Sequence, residues 1–230
     1  MGDTLRLGNP PISIALRRSA RARRLSLRVS QLDGRVTLTL PRGVTQREGE
    51  RFAREKETWL RGHLGRMGAP EPLEIGGTVP FEGRAHTLEA ASVRAPRAEG
   101  ERLLVPGDPD QLGRRVSAFF KLAARERLAE ASDRHAAALG RRYGRITLRD
   151  TRSRWGSCSS EGNLMYSWRL IMAPREVLDY VALHEVAHLA EMNHGPRFWA
   201  LVESRCPGWK AHRNWLRDNG PALHRVSFGA

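Results

Sequence analysis

The chain is poor in cysteine, in lysine and in long apolar runs, and each scarcity narrows what it can be. Its two cysteines, Cys158 and Cys206, form no C-x-x-C pair. That argues against a disulfide scaffold and for reduced, partly buried thiols in a reducing compartment. No apolar run approaches the roughly 20 residues that span a bilayer. The basic N-terminal stretch MGDTLRLGNPPISIALRRSARARR leads into no apolar signal-peptide core, so the expected location is cytoplasmic. Lysine occurs three times (Lys56, Lys121, Lys210) against 36 arginines. So lopsided a ratio is often the mark of a GC-rich genome, and arginine abundance is therefore discounted as a direct functional signal. The net charge of +14 still favours anionic partners, whether nucleotides, nucleic acid or acidic peptides, without choosing among them. The 230 residues suffice for one large domain or two small ones with a real core. No internal repeat is visible.

What is present first is strand pattern. PISIALRR (11–18), RRLSLRVS (23–30) and RVTLTLP (35–41) alternate with period two. LDGR (32–35) predicts a hairpin between the second and third. Residues 44–67 place Phe52, Trp59 and Leu60 near helical spacing and predict one helix. GGTVPFEGRAHTLEAASV (76–93) returns to strand, with turns at Gly76-Gly77 and Glu82-Gly83, and 92–102 reads as an exposed loop. From Asp108 a long helical pattern runs to a terminal Gly140. GRITLRD (144–150) and NLMYSWRL (163–170) predict two more strands. Pro174, at the first helical position, opens the next helix with Glu176 in its first turn. Five of the six tryptophans lie at or beyond Trp155, which puts the densest core in the C-terminal half. The expected division is a β-rich region with one helix over 1–107 and a second domain over 108–230, whose last helix holds the residues that point to chemistry.

That last helix carries VALHEVAHLAEMNHGPRFW (181–199). His184 and His188, four apart, lie on one helical face and can aim two imidazoles at one ion. Glu185 is rotated by about 100° from His184. It is placed to reach water on the ion rather than to ligate it, as in the H-E-x-x-H mechanism with a glutamate general base. Composition gives about 0.02 accidental matches to that pattern, fewer still with His194 added. A helix end near Asn193, in a left-handed turn, would swing His194 back as third ligand. Three histidines leave a fourth position for water, which marks a catalytic site. Neutral nitrogen ligands suit zinc, with manganese, nickel or iron as alternatives.

Residues 151–202 resemble the YgjP-like metallopeptidases, relatives of the SprT-like zincins. The likeness rests on Ser153-Arg154-Trp155-Gly156-Ser157-Cys158, Trp168-Arg169-Leu170, Ala173-Pro174, the histidine helix, Asn193-His194 and Phe198-Trp199. Weaker similarity extends to RARRLSLRV upstream and WLRDNGPALHR downstream. The resemblance implies an α+β fold with a zincin-like metallohydrolase core, in which an antiparallel edge strand lies beside the metal helix. It implies zinc on His184, His188 and His194 and Glu185 as catalytic base, and it settles the site better than the substrate, which is expected to be a peptide or protein or an anionic small molecule. The histidine spacing also matches metzincins, but Glu191 stands where those have glycine, so their biology is not carried over.

Other residues are weighed against plain structural roles. Arg154, Tyr166 and Arg169 are candidates to bind substrate or stabilise an oxyanion. His212 is a weaker candidate electrophile. Trp155 is expected in the core, Gly156 at a bulge, and Phe198 and Trp199 in packing. Arg21, Arg23 and Arg24 could meet phosphate. The leading expectation is a zinc metallopeptidase. The alternatives are a metal-dependent hydrolase of nucleotides or other phosphate compounds, and a nucleic-acid-binding module with a structural metal, which interleaved exposed aromatics and arginines would favour.

Overall fold

The computed structural model describes residues 4–30, 34–65 and 71–229. The protein is α+β, as its sequence predicts, and divides into two compact units, Met1–Ala69 and Pro70–Ala230. The expected division at 107/108 is displaced because the strands after residue 76 share their core with the C-terminal helices. Val79, Leu88, Leu103 and Val105 pack in one cluster with Val116, Phe120 and Leu170.

The first unit holds β1 (Thr4–Leu7), β2 (Ile12–Ser19), β3 (Ser26–Val29) and β4 (Val36–Pro41), then α1 (Gln46–Glu55) and α2 (Glu57–Gly65). The sheet order is β1-β2-β4-β3. The outer pairs are antiparallel and the central β2–β4 pair is parallel. Ile12, Ile14, Val29, Val36, Leu38 and Leu40 point to one face, where they bury with Ala53 and Leu60 of the helices. Each such aliphatic side chain contributes about 1.5–3 kcal/mol. The expected LDGR hairpin lies partly outside the described residues; its flanking strands do pair antiparallel. The single helix expected over 44–67 is two. A Thr45–Glu48 capping box starts α1, Lys56 ends it, and Trp59 stays 44% exposed.

The second unit begins with β5 (Glu71–Pro72), β6 (Thr78–Phe81), β7 (Arg84–Ala91), β8 (Arg97–Glu99) and β9 (Arg102–Pro106). The region expected as loop over 92–102 thus contributes the edge strand β8. The order β6-β7-β9-β8 repeats the antiparallel, parallel, antiparallel arrangement of the first sheet. The chain therefore holds a structural duplication that its sequence does not display. At the β6–β7 turn both Glu82 and Gly83 have positive φ, as a two-residue hairpin requires. Gly83 leaves no room for a side chain, since a Cβ there would sit 2.7 Å from the Pro174 Cα.

The helix α3 (Leu112–Ala138) follows a short 3-10 turn and ends before Gly140, which has positive φ. Then come β10 (Ile146–Arg149), β11 (Gly156–Cys158) and β12 (Leu164–Ser167), in the order β10-β12-β11. The strand predicted through Leu170 stops at Ser167, and Trp168–Met172 form a buried 3-10 turn instead. Pro174 caps the next helix, α4 (Arg175–Ala187), from just outside its first turn. Finally α5 (Pro196–Arg205), α6 (Trp209–Arg225) and β13 (Val226–Ser227) close the chain, β13 pairing with β5. Glu82 and Gly83 donate their amides to the Ile171 and Met172 carbonyls, which seats the start of α4 on the β6–β7 hairpin. No helix among the described residues is long and apolar enough to cross a membrane.

Candidate metal centre

Helix α4 delivers His184 and Glu185, and its C-cap His188, from a stretch whose other faces are buried by Tyr180, Val181, Leu183 and Val186. The helix ends at Ala187, earlier than the predicted end near Asn193. Tight turn bonds take over, with the Leu189, Ala190 and Glu191 amides donating to the Val186 and Ala187 carbonyls. Asn193 is not left-handed, Glu82 being the only non-glycine of positive φ among the described residues. The return of His194 is achieved by the 188–195 turn as a whole. Pro196 then starts α5.

The three histidines converge, with one nitrogen of each within 4.8 Å of the others. The Nε2 atoms of His184 and His194 face each other at 3.0 Å. Two nitrogens bound tetrahedrally at about 2.0–2.1 Å would stand about 3.3 Å apart, so a small rearrangement admits an ion. His188 Nδ1 donates to the Glu191 carbonyl at 3.0 Å, which leaves Nε2 as a lone pair for coordination. His184 Nδ1 is buried without a hydrogen-bond partner. Burial, then the neighbouring His188, His194 and Arg213, push the His184 pKa down to about 3. Burial and nearby charge lower that of His194 as well. Both rings are therefore neutral at neutral pH, the form a metal requires. On geometry and donor chemistry the residues fit a divalent transition ion.

Phe198 is a contributor whose reach the sequence does not show. Its ring is fully buried and lies 4.9, 4.6 and 4.8 Å from the rings of His184, His188 and His194. It is a common floor for all three imidazoles. Trp199 stacks on His194 and on Trp209, and Arg213 lies over both indoles. The packing role expected of Phe198 and Trp199 is thus packing of the site itself.

Glu185 is 6% exposed and stands outside the three-histidine group. Burial pushes its carboxyl up to about 8, against the pull of the Arg154 guanidinium. Its side chain lies along β11. A Cβ added at Gly156 would stand 2.6 Å from both Cγ and Oε1 of Glu185. The glycine expected at a bulge is instead there because a carboxylate rests on its Cα. Trp155 packs against the core and the His224 ring, as expected. Among the described residues β11 pairs with β12 alone, so its other edge carries no strand.

Of the three residues weighed for substrate or oxyanion, only Arg154 faces solvent and acts electrostatically on Glu185. Tyr166 is fully buried, and its hydroxyl bonds Ser132 Oγ at 3.0 Å inside the core. Arg169 clamps the fold. It bonds both Asp150 oxygens at 2.7 and 3.1 Å and the Leu223 and Val226 carbonyls, and it lies over Trp168 and Phe228. Neither can reach a substrate. His212 packs against Tyr180 and does not join the histidine group.

No curated protein and no solved structure matches the chain. A family model does: residues 23–219, spanning strands of the first unit and the whole histidine site, match the YgjP-like metallopeptidase domain. The protein belongs to the YgjP-like metallopeptidase family.

Proposed function

We propose that the protein is a zinc-dependent peptidase with a zincin-like core, in which His184, His188 and His194 hold the ion and Glu185 is the general base. The observation that carries this is the pairing of a convergent three-histidine group with a buried glutamate one helical position away and outside the ligand set. A zinc ion, when bound, polarises a substrate carbonyl and makes water nucleophilic near neutral pH.

The chain's own groups do the rest. The open edge of β11 receives an extended peptide by main-chain pairing, which lays the scissile bond beside Glu185. Glu185 takes the proton of the attacking water and passes it to the leaving amine nitrogen. Its carboxyl is kept on that path by contact with Gly156. Arg154, exposed at the rim, offers a guanidinium to the peptide carbonyl or a substrate carboxylate. Phe198 and the Glu191 carbonyl fix the imidazole orientations.

The test is Glu185→Gln against wild type at matched zinc content, on the peptides that a substrate screen identifies. The variant should keep fold and metal and lose about 10²–10⁴-fold in kcat. Equal rates would remove Glu185 from the chemistry.

A further inference from the structure

The duplicated sheets allow an internal comparison of charge. Residues 1–69 hold 15 basic and 6 acidic side chains, net +9. Residues 70–230 hold 24 and 19, net +5. A genome-wide arginine bias would act on both units alike and does not explain this segregation.

The register shows where the charge goes. The face of the first sheet opposite its helices carries Arg6 on β1, Ser13, Ala15 and Arg17 on β2, Thr37 and Thr39 on β4, and Ser26 and Arg28 on β3. These positions alternate with the buried set. Arg28 and Ala15 are both opposite Thr37, so Arg28 lies about 10 Å from the β2 backbone, two strands away. The β2–β3 connection adds the exposed Arg21, Arg23 and Arg24. Among the described residues no carboxylate pairs with Arg6, Arg17, Arg21, Arg23, Arg24 or Arg28. The unit's described acids, Glu48, Glu50, Glu55 and Glu57, all lie on α1 and α2.

The topologically equivalent face of the second sheet is built differently. There Arg97 pairs with Glu99 at 2.8 Å, and Arg102 with Glu89 and Glu99 at 3.5 and 3.8 Å. The second sheet pairs these arginines with carboxylates, while on the outer face of the first the described arginines stand among small hydroxyl side chains with no described carboxylate partner.

We propose that the outer face of the β1–β4 sheet docks the phosphate backbone of double-stranded nucleic acid, independently of sequence. Unpaired guanidiniums and Ser/Thr hydroxyls are the donors that phosphate oxygens take. The small side chains between them let two rows of phosphates come close. The face carries no aromatic ring on which bases of a single strand could stack. The exposed indole of Trp59 is on α2.

The experiment titrates a fluorescent duplex of about 20 base pairs with the full chain across a range of salt. It compares wild type with Arg6→Ala/Arg17→Ala/Arg28→Ala and with Arg47→Ala/Arg51→Ala/Arg54→Ala on α1, which removes the same charge. Three lost contacts at about 0.9 counterion each predict that the sheet variant binds about 10²-fold more weakly at about 0.15 M salt, with a log–log salt slope shallower by 2–3. The α1 variant should stay near wild type, and circular dichroism and zinc content should be unchanged in both. If the triple variant does not fold, the single Arg→Gln substitutions read the same slope, each shallower by about 1. Equal losses in the two variants, no duplex binding by wild type, a tenfold preference for single strands, or binding to anionic phosphatidylserine vesicles in place of the duplex would each overturn the proposal. A failed peptidase assay would leave it standing, because it concerns the other unit.

Discussion

Gly156→Ala probes the site without touching a histidine or the base. The backbone at Gly156 is ordinary strand, so alanine brings no conformational strain. The new Cβ would lie 2.6 Å from Cγ and Oε1 of Glu185 and 2.8 Å from Cδ, where ordinary contact is 3.4–4 Å. About 1 Å of movement must be found, and β11 is held by its register with β12, so the Glu185 side chain moves. Overpacking of this kind costs about 1–3 kcal/mol of stability. A misplacement of about 1 Å in a catalytic group costs up to about 10²-fold in rate. The expected result is a folded protein with wild-type zinc content and a kcat reduced by one to two orders of magnitude, measured beside Glu185→Gln on the same peptide. Activity unchanged from wild type would show that the contact with Gly156 does not position Glu185. Loss of zinc would show that β11 and the metal group are not separable.

Two further predictions concern the fold around the site. Arg169→Met should lower stability by about 3–5 kcal/mol, since it strands Asp150 and two carbonyls that the guanidinium satisfies. Denaturant unfolding reads this, and a loss below about 1 kcal/mol would show that the guanidinium does not hold these groups together. Asp179 is pushed up by burial but held below its ordinary pKa by His135 and Arg134. The stability it supplies is therefore present above about pH 4 and lost as pH falls through its lowered folded value. The gap in thermal midpoint between wild type and Asp179→Asn should be present at about pH 5 and close as pH falls below about 4. A gap that persists at pH 2 would contradict the assignment.

The histidine helix was legible because its information is local. Spacings of four and six residues, one glutamate and the apolar period all sit within one short stretch. Pro174 and Gly140 likewise marked helix ends close to where they fall. What was not legible depends on distant partners. Gly156 and Glu185 are far apart in the chain, so a glycine that makes room for a carboxylate read as a bulge. Tyr166 and Arg169 flank Trp168 in a pattern that suggested one strand. The chain leaves the strand at Ser167, which sends Tyr166 into the core against Ser132 and Arg169 to Asp150. The duplicated sheets were hidden because topology can be shared without shared residues. The interleaving of aromatics and arginines that favours a single-strand-binding module is absent from the described first sheet, whose outer face sets its arginines among hydroxyls instead.

The most direct test of the account is anomalous diffraction from zinc-loaded crystals, recorded on both sides of the zinc edge. The account predicts one site per chain, about 2.0–2.1 Å from Nε2 of His184, His188 and His194, with Glu185 outside the coordination shell. A site elsewhere, or one with Glu185 or another protein side chain closing the fourth position, would contradict it.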